Sequence, residues 1–251
     1  AINLVMPFIM ILGGMGFMIG AGGTALVTKI MGEGDMQKAN RYFSMMIFFT
    51  VILGAVLTAL GIIFIRPISV LLGATAEMMK YCVIYGIIVI AFTLPFMLQN
   101  VFHSFLIAAE KPRLGLLVTV IAGVTNMFLD FLFVGVFRWE VAGAAIATGI
   151  SQMVGAAIPF IFFVMPNSSP LRLKLAKLEF KPILQACWNG SSELMSNISS
   201  SVVGIVYNVQ LLKYYGEDGV SAYGVLMYVN FIFVATFIGY SIGSAPIIGY
   251  N

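Results

Sequence analysis

Residues 125–134 read TNMFLDFLFV. A carboxylate, Asp130, stands in an otherwise apolar run, and the amide Asn126 lies one helical turn before it. On insertion scales a charged aspartate at the centre of a membrane helix costs about 2.5–3.5 kcal/mol when it faces lipid. What surrounds this run therefore decides the fold, and with it the purpose of Asp130.

Composition identifies the surroundings. Of 251 residues, 61% are hydrophobic and only 9% are charged, and the mean hydropathy is +1.03. Soluble domains carry about 25% charged residues. The chain reads as an integral membrane protein. Only helices and closed barrels satisfy every backbone polar group inside hydrocarbon, and barrel strands alternate in hydrophobicity over about ten residues. Here the apolar runs are long and do not alternate. The expected fold class is all-α, a polytopic membrane helical bundle.

Seven runs are long enough to span, at 4–28, 42–64, 81–108, 114–137, 141–165, 183–212 and 220–249. Cytoplasmic loops are enriched in Lys and Arg. Lys29, Lys38, Arg41, Lys111, Arg113, Arg172, Lys174, Lys177 and Lys181 follow the odd-numbered spans, against Arg66, Lys80, Arg138 and Lys213 on the other side. Nine against four sends the first span from outside to inside. The net charge of +3 thus follows topology, and the expected partner is the bilayer, with no nucleic-acid surface.

Cys82 and Cys187 lie in apolar context without metal-ligand or redox spacing, so neither a disulfide nor a metal framework is expected. Nothing at Ala1 resembles a signal peptide, and GSAPIIGYN ends within an apolar run. The chain is expected to be part of a longer protein. The basic segment PNSSPLRLKLAKLEFKP, residues 166–182, reads as an inside loop linking two membrane lobes. Its leucine spacing also allows it to lie along the lipid surface.

Two acidic residues fall well inside spans, Asp130 and Glu193. Asn126 and Asp130 are spaced i, i+4 and share a helix face. They offer hard oxygen ligands for a small cation, or a carboxylate able to carry a proton. Hydrogen bonding to a neighbouring helix is the structural alternative. In the sixth span Asn189, Ser192, Glu193, Ser196, Asn197 and Ser200 recur at three- and four-residue steps. That stripe is too polar for lipid and reads as a cavity wall, with Glu193 as cation site, proton carrier or counter-charge for a cationic substrate. His103, close to Gln99 and Asn100, reads as a hydrogen-bonded packing group.

The segment NMFLDFLFVGVFRWEVAGAAIATGISQ, residues 126–152, resembles the signature of MATE (multidrug and toxic compound extrusion) transporters, an Asn-x-x-x-Asp helix followed by a GAAIAT helix. GAGGTALVTKIMGEGDMQKANR is similar to that family's second helix and following loop. LLGATAEMMKYCVIYG and FLIAAEKPRLG resemble the flanks of its fourth helix, and NGSSELMSN the start of its second lobe.

The resemblance implies a bacterial inner-membrane antiporter built from two six-helix lobes, monomeric when complete, exporting organic cations in exchange for Na+ or H+ by alternating access. On that pattern residues 1–166 are helices two to six of the first lobe, 167–182 the linker, and 183–251 the first two helices of the second. Asn126, Asp130 and Thr148 match the first-lobe cation site, and Glu193 the acidic residue opening the second lobe. The implied coupling ion is sodium or a proton, with no cofactor and no metal beyond that sodium. The family's first helix, which contributes a further acidic residue, and its last four helices have no counterpart here.

Other classes fit less well. A lipid-linked oligosaccharide flippase of the wider fold calls for mid-span Arg and Lys, and none is present. Retinal proteins need a lysine in the last span, which 220–249 lacks, and an aspartyl protease needs a second membrane aspartate. A non-transporting channel or scaffold subunit is the remaining alternative.

Overall fold

The computed structural model of the protein describes residues 2–166 and 169–250, with side chains described for 4–166, 169–237 and 240. Among them the helices are α1 (Ile2–Gly32), α2 (Met36–Leu71), α3 (Ala76–Ala91), α4 (Thr93–Ala108), α5 (Pro112–Asp130), α6 (Glu140–Val164), α7 (Phe180–Asn189) and α8 (Ser191–Tyr250). A π-helical turn, Phe131–Val136, extends α5. No strand occurs among the described residues, as the apolar pattern requires.

Among the described residues five helical segments are long and apolar enough to cross a membrane, and α3 with α4 makes a sixth that is bent by 48°. The bend falls at Phe92, within the expected third span. Pro95 lies three residues into α4 and has no N–H to bond the carbonyl of Ala91, so the helix ends there and restarts. The sixth and seventh expected spans appear as α7 plus α8, and α8 is itself broken at Gly216 (φ 65°, ψ −156°). That left-handed residue is a glycine, which carries no Cβ penalty. It separates the two apolar runs at the point where the sequence reads KYYGEDG.

Residues Ala1–Val203 and Gly204–Asn251 form two compact units. In the first, α1 packs on α4, α2 and α7, while α5 packs chiefly on α6, and α6 on α4. Its core is aromatic. Phe43 of α2 meets Phe105 of α4 at 4.9 Å and Phe163 of α6 at 4.8 Å between ring centroids, and all three side chains are fully buried. Close approach of α7 to α1 depends on two glycines. A Cβ on Gly22 would lie 1.9 Å from the Ala186 carbonyl oxygen, and one on Gly190 would lie 2.0 Å from that of Met18.

The segment after α6 is extended and strapped to α2. Asn40 donates from Nδ2 to the Pro170 carbonyl (3.2 Å) and accepts the Arg172 N–H at Oδ1 (2.5 Å). Ser44 Oγ accepts from Lys174 N–H, Leu173 N–H donates to the Phe163 carbonyl, and Arg41 pairs with Glu179. The leucine periodicity thus seats Leu171 in the aromatic core at 0% exposure and leaves Leu175 at 97%.

Candidate functional site

On α5, Val118, Ala122, Asn126 and Asp130 follow one another at four-residue steps and so share a face. Val118 and Ala122 are buried, and Asn126 and Asp130 half-buried. The opposite face, with Leu116, Val120, Val124, Met127 and Phe131, is exposed and wholly apolar. The helix therefore turns its polar pair toward α6 and its hydrocarbon outward.

Two sets of neighbours fix the register between α5 and α6. Gly143 lies against Phe133, a Cβ there falling 3.0 Å from the Phe133 Cβ. Val118 and Thr119 share a cavity wall with Gly155 and Pro159. The helices are antiparallel, so Asn126 and Asp130 fall opposite about 146–150 of α6, the stretch that carries Thr148, with Gln152 just beyond it on the Asn126 side. Thr148 is half-buried, and its carbonyl accepts the Ser151 hydroxyl at 2.7 Å. Beside it, Gly149 leaves room for the Phe92 ring, only 2.1 Å from a Cβ placed there.

Asp130 Oδ1 and Gln152 Oε1 are buried and accept no hydrogen bond from the protein, and the buried Asn126 Nδ2 donates none to it. A buried polar atom left unsatisfied costs about 1–3 kcal/mol. An unsatisfied carboxylate oxygen at Asp130 suits a bound cation or a proton. The π-helical turn begins at Phe131, directly after Asp130. Such turns disturb the regular backbone ladder and recur at functional sites. Past it the chain reverses through Arg138 and Glu140, both at positive φ, under the stacked rings of Phe133, Phe137 and Trp139.

The second expected group lies elsewhere. Asn189 ends α7, Gly190 interrupts the helix, and Ser191 starts α8, so the expected continuous stripe is broken at its first step. Asn189, Ser192, Glu193 and Ser196 are exposed, while Asn197 is half-buried where Gly14 of α1 approaches its Cβ. Asn197 Nδ2 donates to the Glu193 carbonyl at 2.8 Å. Glu193 forms no ion pair among the described residues. The structure brings Asn126, Asp130 and Thr148 onto facing helices and leaves Asn189 to Asn197 at the α7–α8 junction beside α1.

Two readings of single residues change. His103 is exposed and lines a cavity, and the Asn100 amide nitrogen is buried without a protein acceptor, so the trio with Gln99 is not a closed packing network. Gln152 was missed. Its signal was its place four residues after Thr148, which puts the two on one face.

A family model, MatE, matches residues 1–132, slightly more than half of the chain. The chain belongs to the MATE family. Multidrug export protein MepA of Staphylococcus aureus (strain MRSA252) is 28% identical over 254 residues, covering 100% of this chain and 56% of that protein. Its namesake in Staphylococcus saprophyticus matches to the same extent. The chain spans about half the length of these curated relatives.

Among solved structures, an inward-facing multidrug resistance MATE family transporter of the MOP superfamily superposes with a TM-score of 0.84 at 20% identity, over 88% of this chain and 51% of that one. A MOP superfamily transporter from Pyrococcus furiosus, described as having a binding pocket of reverse polarity, gives 0.83 at 19% identity, over 95% and 53%. At these identities the likeness is one of fold. MATE family members are transporters, which sets aside the enzyme readings, and the helices make this a multi-pass membrane protein.

Proposed function

We propose that this chain carries the first-lobe cation site of a secondary active exporter that moves organic cations out of the cell in exchange for Na+ or H+. Residues 1–166 are the first lobe, 167–182 the linker and 183–251 the opening of the second lobe, in the inner membrane of a bacterium. The working protein is a monomer and needs no cofactor beyond its coupling ion.

The observation that carries this reading is the half-buried Asp130 carboxylate with one oxygen unsatisfied, on the helix that packs against the α6 stretch holding Thr148. Asp130 binds the cation, and Asn126 and Thr148 supply neutral oxygens. Occupancy biases the protein between outward and inward states, which requires the cation to bind the two with different affinity. Glu193, with Asn189, Ser192, Ser196 and Asn197, sets the charge of the substrate cavity. Relatives named as multidrug export proteins support the substrate class.

The test is efflux of a fluorescent organic cation from proteoliposomes holding the full-length protein, under a sodium gradient and then a proton gradient. Asp130→Asn keeps the side-chain volume and removes the charge. It is expected to insert normally and lose gradient-driven efflux, and normal export by this variant would overturn the assignment.

A further inference from the structure

The strap between α6 and α7 has two unlike faces. Leu171 is buried, Leu173 and Ala176 pack against the aromatic core, and Glu179 pairs with Arg41. Those contacts account for the inward face. Outward stand Arg172, Lys174, Lys177 and Lys181, all exposed, with Leu175 almost wholly exposed among them and Phe180 at 79%. Hydrogen bonds from the strap backbone to Asn40 and Ser44 of α2 fix this division.

Depth determines what the outward face meets. The strap crosses α2 between Asn40 and Met45, whose sulfur accepts the Glu179 N–H at 3.2 Å. There the polar start of α2, MQKANR, gives way to the apolar run from residue 42. On the other side Leu173 bonds to the carbonyl of Phe163, one residue before α6 ends. Two spanning helices therefore hold the strap at the boundary between hydrocarbon and headgroups, on the side that Lys and Arg mark as cytoplasmic.

Charge selects the partner. Within 171–181 four cations stand against one acid, Glu179, which pairs with Arg41. α7 begins at Phe180 without a side-chain cap and without an acid in its first turn, so its amino end adds partial positive charge beside Lys181. A lysine there opposes the helix dipole, and an anion over both reverses the conflict. Four or more cations just cytoplasmic of a spanning helix recognise anionic lipid, each strengthening the attraction about fivefold. Apolar side chains among them enter the acyl boundary, as in other interfacial segments. A soluble acidic partner would have to displace headgroups to reach a surface at this depth.

We propose that the outward face of the strap is a docking surface for anionic phospholipids of the cytoplasmic leaflet. Lys174, Lys177 and Lys181 meet the phosphates, and Leu175 and Phe180 enter the acyl boundary. The inference is independent of the reading of Asp130.

The test uses the full-length protein with Cys187→Ser and with Leu175→Cys carrying an environment-sensitive fluorophore. The buried Cys82 is retained, and its background is measured without the new cysteine. The protein is placed in vesicles of phosphatidylcholine, alone or mixed with phosphatidylglycerol, with a spin-labelled lipid as quencher. The ratio of docked to undocked strap, read from quenching, is expected to rise at least about tenfold with phosphatidylglycerol and to fall back in high salt. Lys174→Gln, Lys177→Gln and Lys181→Gln combined, all at exposed positions, are expected to remove that response. Equal quenching in neutral and anionic vesicles would overturn the proposal, as would an undiminished response in the triple variant. A label quenched in neither vesicle and water-like in emission would leave the strap in the cytoplasm. One quenched in neither but shielded from water even in detergent would be covered by another part of the chain or by a second copy, and either result overturns the lipid surface. No readout here involves transport, so failure is distinct from normal export by Asp130→Asn.

Discussion

Asp130 keeps one carboxylate oxygen from both water and every protein donor, and Gln152 does the same with its amide oxygen. The two make opposite demands on a substitution. Removing a buried acceptor whose partner is already absent relieves its desolvation, so Gln152→Met, nearly isosteric, is expected to leave the melting temperature unchanged or raised. If Gln152 serves the ion, the same variant needs at least about tenfold more of it for half-maximal efflux. Melting followed in detergent, set beside the ion dependence of efflux, separates these effects, and a variant normal in both returns Gln152 to a packing role. Gly22 and Gly190 fail differently. Alanine at either would drive its Cβ to 2.0 Å or less from a backbone oxygen. Overpacking of this kind costs about 1–3 kcal/mol, and Gly22→Ala is expected to melt several degrees lower, at roughly 2–4 °C per kcal/mol for a chain of this size. An unchanged melting point would show that α7 can draw away from α1 without loss.

At the level of elements, the strap across α2 gives the sharpest contrast. Asn40 meets the strap as a peptide group would, donating to Pro170 and accepting from Arg172. Aspartate keeps the acceptor, loses the donor and turns a carboxylate oxygen toward the Pro170 carbonyl. Asn40 Nδ2 also donates to the Met36 carbonyl within α2, so two hydrogen bonds are lost. The one to the strap costs about 0.5–1.5 kcal/mol, more when a buried group is stranded, and each 1.4 kcal/mol is tenfold. Asn40→Asp is expected to speed tryptic cleavage at Arg172 and Lys174 about tenfold. The Arg41–Glu179 pair is exposed on both sides, and such pairs contribute little, so Glu179→Gln is expected to change cleavage less than about threefold. The reverse order would move the anchor from Asn40 to the ion pair. Elements also mark the limit of what sequence reveals. Apolar length placed the spans, and the i, i+4 spacing placed Asn126 and Asp130 on one face. The bend at Phe92 needed Pro95 to be read as a helix restart, which its frequency in membrane helices discourages. The π-helical turn after Asp130 has no local signature in FLFVGV. The break at Gly190 arises because α7 must approach α1 at the backbone, a tertiary demand invisible in a periodic polar stripe.

For the whole molecule, the asymmetry of Lys and Arg leads to one topology. Cysteines introduced at Lys177 and Arg138 are expected to react with impermeant reagent from opposite faces, inside and outside respectively, and labelling from the same face would refute the orientation. Fold-level likeness to transporters at about 20% identity locates α5 and α6 but assigns no ion. A coupling residue differs from a packing residue in that its loss stops ion movement. The deciding measurement is uptake of radioactive sodium, and in parallel of protons by an internal pH dye, into proteoliposomes of the full-length protein while an organic cation leaves. The expected result is counter-uptake of one of the two ions in fixed proportion to export, lost in Asp130→Asn. Export with no ion entering, or counter-uptake undiminished in that variant, would contradict the claim that Asp130 couples the ion to the drug.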